Sequence, residues 1–123
     1  MAKPVLKPGP HHPITVTPNP ARVVVTRGGR VLADTRGALT LQEASYPAVQ
    51  YVPRADVDLS LLERSDHETY CPFKGEASYF SIQAGDEPAQ NAVWTYEQPH
   101  DAVAEIGGYL AFYPEQVEIT VEA

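Results

Sequence analysis

Proline sets the limits on what this chain can become. Six of its twelve prolines, Pro4, Pro8, Pro10, Pro13, Pro18 and Pro20, fall within the first twenty residues. Each locks φ and removes a backbone N–H, so no helix runs through that stretch and a sheet there is short of donors. Residues 1–20 are expected to form an extended, polyproline-like arm packed on the domain, with Ile14, Thr15 and Val16 pairing at a sheet edge. The other prolines, together with seven of the eight glycines, cut the remaining chain into short pieces. Short β-rich runs between such breaks mean a mainly β fold. A chain of 123 residues is one domain's worth, so residues 21–123 are expected to be a single β domain.

The clearest local element is Arg22–Thr26 and Arg30–Asp34 flanking Arg27, Gly28 and Gly29, which predicts a hairpin with the arginines at a solvated turn. Further strands are expected at Ala38–Gln42, Val49–Val52, Ala77–Gln83 and Ala92–Glu97, the last two paired. Asp56–Arg64 and Asp101–Ile106 suit one or two helical turns, with Asp101 as the N-cap. Ser65, Asp66 and His67 read as a loop. Val117, Ile119 and Val121 alternate with polar residues, which predicts a terminal hairpin with Tyr109–Tyr113.

The net charge of −7 disfavours nucleic acid or an anionic membrane as partner, because both demand a basic surface. Residues 1–74 hold all nine basic residues and seven of the sixteen acidic ones, a balance of +2, and residues 75–123 stand at −9. A basic pocket inside an acidic protein is therefore compatible with the sequence. One cysteine excludes an intrachain disulfide and a CxxC zinc knuckle. The first residues lack the apolar run of a signal peptide and no stretch approaches a membrane span, so the cytoplasm is the expected compartment. No cofactor is expected, and no metal: His11 and His12 are adjacent and would point to opposite faces of a strand.

Chemistry concentrates in E-T-Y-C-P-F-K-G-E-A-S-Y-F, Glu68–Phe80. Pro72 and Gly75 bracket a tight turn that lifts Cys71 and Lys74. Lys74 is the leading candidate for holding an anion, with Arg54 of the P-R-A-D loop as second donor. Lys acts as a point charge and Arg as a bidentate fork. Tyr51, Tyr79, Trp94 and Tyr96 supply an aromatic wall. Glu43 breaks an otherwise small and apolar stretch. It reads as an exposed strand end or, if it faces inward, as the acid or base of the pocket. Cys71 is a packing thiol or a nucleophile activated by Lys74 and His67.

Four blocks, K-P-G-P-H-H-P-I-T-V, Y-V-P-R-A-D-V, T-Y-C-P-F-K-G-E-A-S-Y-F and V-W-T-Y-E-Q-P with L-A-F-Y-P, resemble the domain of unknown function 427 family over nearly the whole chain. The resemblance implies the β-tent fold of methionine sulfoxide reductase B, two small antiparallel sheets leaning on each other. The structural zinc of many such folds is excluded by the single cysteine. It also carries a nucleotidyltransferase-like label, for which the chain offers no Gly-rich phosphate loop. The first functional expectation is binding of a small anionic or aromatic metabolite between the sheets. The alternatives are an interaction module or homodimer through sheet edges, and a thiol-dependent or nucleotidyltransferase-like enzyme. The sequence names no reaction.

Overall fold

The computed structural model describes residues 3–122. Ten strands form three antiparallel sheets. The first holds β1 (Ile14–Asn19), β4 (Ala38–Glu43) and β5 (Val49–Tyr51), in the order β1-β4-β5. The second holds β2 (Arg22–Arg27), β3 (Arg30–Thr35) and β10 (Glu118–Glu122), in the order β10-β2-β3. The third is four-stranded and follows the chain: β6 (Leu62–Cys71), β7 (Gly75–Ile82), β8 (Ala89–Thr95) and β9 (Leu110–Phe112). The mainly β reading holds, but there are three small sheets where two were expected.

Side chains alternate across a strand, and this alternation divides the core in two. Phe80, Ile82, Val93 and Phe112 pack with Val23, Val25 and Leu32 of the β2–β3 hairpin. Ala77, Tyr79, Tyr96 and Ala111 pack with Leu41 and Tyr51 of the first sheet and with Val103 and Ile106. The four-stranded sheet therefore has a different small sheet against each of its faces.

The β2–β3 hairpin forms where the Gly-Gly pair places it, with Gly28 and Gly29 at φ of 57° and 78°. At its tip Gly29 and Arg30 are exposed as expected, but Arg27 is engaged. Arg27 donates to the carbonyls of Ala84, Gln116 and Glu87 at 2.6–3.0 Å, and a Cβ on Gly28 would lie 2.4 Å from Gly85 Cα. β1 pairs with β4 despite Pro18, as an edge strand can.

Three further expectations are corrected. The stretches read as helix form only 3-10 turns, Arg54–Asp56, Leu59–Leu61 and Asp101–Ile106, and His100 rather than Asp101 takes the N-cap position of the last. Ser65–His67 lie inside β6, at a register shift between Arg64 and Glu68. An exposed edge strand with an irregular register carries loop-like residues. β9 and β10 do not form a hairpin: β9 joins β8 and β10 joins β2. β9 is buried at every position and needs a place inside, whereas β10 is mostly exposed and needs only an edge.

Candidate functional site

The site is assembled by the turn after β6. Pro72 and Phe73 lead into Lys74, whose N–H bonds back to the Cys71 carbonyl at 3.2 Å. The Lys74 carbonyl accepts from the His100 N–H at 2.9 Å. Gly75 closes the turn at a φ of 113°, with the backbone of Gln98 and His100 3.5 Å from where a Cβ would stand. That conformation is open to glycine and strained for other residues. The turn therefore fixes which way the Lys74 side chain leaves the sheet.

Lys74 points to the last residue of β4. Its Nζ lies 2.5 Å from Glu43 Oε1, and His12 Nε2 lies 2.8 Å from Glu43 Oε2. Glu43 is thus the inward-facing carboxylate of its two sequence readings. The Lys74 and Glu43 side chains are 13% and 14% exposed, and that of His12 is 27%. A carboxylate only accepts, so His12 Nε2 carries the hydrogen. The His12 ring stacks on Phe73, centroids 4.0 Å apart at 10°. Burial disfavours the Glu43 charge, but Lys74 and His12 outweigh it and hold the carboxyl below the usual glutamate range.

Rings close over this cluster. The Lys74 ammonium is 5.8 Å from the Tyr96 ring centroid. Tyr51 and Tyr96 are both buried, and the Tyr51 hydroxyl accepts from Trp94 Nε1 at 3.1 Å. Burial, aided by the Glu43 charge, drives both phenols well above the ordinary tyrosine range, so they stay protonated as neutral donors. Cys71, half-buried, packs with the same cluster. Tyr79 is buried further along β7, where its hydroxyl shares a hydrogen bond with Thr69 Oγ1 at 2.8 Å and its ring faces His67 at 4.5 Å.

Arg54 does not join them. It lies above the Phe80 ring at 5.7 Å and reaches Glu97 at 3.5 Å. Phe80 belongs to the opposite face of the four-stranded sheet from Tyr79. Arg64 makes the closer contact to the same carboxylate, 2.9 Å. The structure therefore brings together Glu43, Tyr51, Cys71, Lys74 and Tyr96, with Trp94 and Tyr79 along the same face and Arg54 behind it.

The sequence profile of a domain of unknown function, DUF427, matches residues 15–123. The chain belongs to this family. No curated protein matches it.

Within this DUF427 domain, open hollows lie beside the cluster. One, of about 680 Å³, runs between Leu6, Pro8, Ile14, Pro99 and Ala102. It abuts the Lys74 turn, since the N–H groups of Leu6 and His100 in its wall bond to the Pro72 and Lys74 carbonyls. A wider one, of about 970 Å³, is lined by Lys3, Arg64, Glu68, Tyr70 and Glu97. Both of its cations already have partners, Lys3 with Glu76 and Arg64 with Glu97. Among the described residues, no three of His, Cys, Asp and Glu gather as a metal site, and no helix is long and apolar enough to cross a membrane.

His12 is the site residue that sequence reasoning missed. Its partner is 31 positions away. The only signal was indirect: a carboxylate placed inward among small apolar neighbours needs donors for both of its oxygens.

Proposed function

We propose that this chain binds a small anionic metabolite, with an aromatic or otherwise planar body, at the Lys74–Glu43–His12 cluster. The observation that carries this reading is the convergence of two nitrogen donors on one half-buried carboxylate beside the Tyr96 and Phe73 rings. A buried ion pair is a poor stabilising device, because apolar side chains of the same volume do as well or better. Its use is chemical: Lys74 and His12 hold the place of an anion that Glu43 now occupies. A ligand carboxylate or phosphate takes over those donors, and its ring lies against Tyr96. The neutral Tyr51 hydroxyl, which accepts from Trp94, keeps its own proton to offer. Arg54, engaged with Glu97 on the other face, has no part in this reading.

The test is a thermal-shift screen of small organic acids and phosphorylated metabolites, repeated with Lys74→Ala. A ligand at a hundred times its Kd stabilises by about 2.7 kcal/mol, enough to read as a clear rise in Tm. The expected result is a shift in the wild-type chain that vanishes in the variant. A hit of equal size in both proteins, or no hit among anions, removes the proposal.

A further inference from the structure

The chain before β1 does not pack like the rest of the molecule. Val5 and Leu6 are 58% and 49% exposed, and hollows flank the segment on both sides. It touches the body at separate points. Lys3 pairs with Glu76 at 2.7 Å. His100 Nε2 donates to the Tyr70 hydroxyl at 3.1 Å, and that hydroxyl donates to the Pro4 carbonyl at 2.6 Å. The Leu6 N–H bonds to the Pro72 carbonyl at 3.0 Å. A two-bond turn between Gly9 and His12 then delivers His12 to Glu43 and Phe73. Four of these anchors, Tyr70, Pro72, Phe73 and Glu76, belong to the turn that carries Lys74 or to the strands beside it. The fifth, Glu43, is Lys74's own partner.

We propose that residues 3–12 form a strap over the Glu43–Lys74 pair, latched by His12, and that the strap must release for a ligand to reach the site. The inference rests on the binding reading for its purpose, but the movement itself can be measured with no ligand present. Links at the solvent-exposed end are individually weak. Segments with few buried apolar contacts open without unfolding the body. His12 differs from the other anchors because it is the one shared with the site: its imidazole holds the carboxylate oxygen that Lys74 leaves free. The strap opens when His12 lets go of Glu43, and it closes again with His12 on the anion of the bound ligand. Pro4, Pro8 and Pro10 keep the released segment extended, so it can settle again in the same register.

The experiment uses the full chain and two readouts, hydrogen exchange at the Leu6 amide and acylation of Lys74 by an N-hydroxysuccinimide ester, with exposed Lys7 as internal control. In His12→Ala, Leu6 exchange and Lys74 acylation both rise, by roughly five- to thirty-fold for a latch of ordinary strength. The Val93 amide, inside β8, keeps its protection. Tyr70→Phe, which removes the anchor at Pro4 together with the bond from His100 and leaves the other strap anchors in place, produces the same pattern with a smaller rise. It also keeps the test valid if His12→Ala folds poorly. Wild-type rates at Leu6 or at Lys74 in both variants overturn the proposal. So does loss of Leu6 and Val93 protection in step, because opening would then be global unfolding. Ligand binding with no strap movement would sink this inference and leave the binding site standing.

Discussion

Glu43 shows how one carboxylate can carry two roles in the same fold. It joins β1's approach segment, through His12, to the β6–β7 turn, through Lys74. Its folded-state pKa lies below the ordinary value of 4.5. A depressed carboxyl contributes stability that is fully present above the unfolded value and is lost as pH falls through the folded one. Glu43→Gln keeps the shape and removes the charge, leaving the Lys74 ammonium facing a neutral amide. The expected cost is about 1–3 kcal/mol at neutral pH. The gap between wild type and variant should close as the pH drops below about 4.5. Urea titrations of both proteins across that range check it, and a gap independent of pH would mean that Glu43 is held by packing and not by charge.

The β2–β3 hairpin tip is an element whose sequence was easy to read and whose role was not. Gly28-Gly29 announces a turn, and both glycines sit at positive φ. Only Gly28 meets another backbone: its missing Cβ makes room for Gly85, while open space surrounds Gly29. Gly29→Ala should therefore cost about 1–2 kcal/mol, the strain of a left-handed residue. Gly28→Ala adds a backbone clash that no rotamer relieves, and about 3 kcal/mol or more is expected. The clash also pushes Arg27 off the three carbonyls it serves. Chemical denaturation of the two variants ranks them, and equal costs would mean that the Ala84–Glu87 loop yields freely.

At the scale of the molecule, the last strand closes on one of the first. β10 pairs with β2 from Glu118↔Thr26 to Glu122↔Arg22 and brings Ile119 down beside the apolar cluster that holds Val23 and Val25. Removing residues 117–123 uncovers the edge of β2 and strips this cover from the core. An open edge of Val23-Val24-Val25 is a template for pairing with another chain. The truncated protein should melt earlier and associate with rising concentration, as light scattering would show. A monomeric truncation with unchanged Tm would make β10 an ornament of the fold.

The sequence by itself determined the kind of structure and most of its strands. Prolines and glycines forbid long helices, and alternation marks which residues pair and which face inward, because both are local properties of the backbone. The Gly-Gly hairpin, the β7–β8 pair and the turn from Pro72 to Gly75 were all legible in that way. Partnership across the chain was not. Whether β9 joins β8 or β10, whether Arg54 meets Lys74 or Glu97, and which cation answers Glu43 depend on burial shared by residues far apart in sequence. Only the tertiary packing sets those distances: it laid a proline-rich arm across one turn and so put an imidazole, a carboxylate and an ammonium side by side.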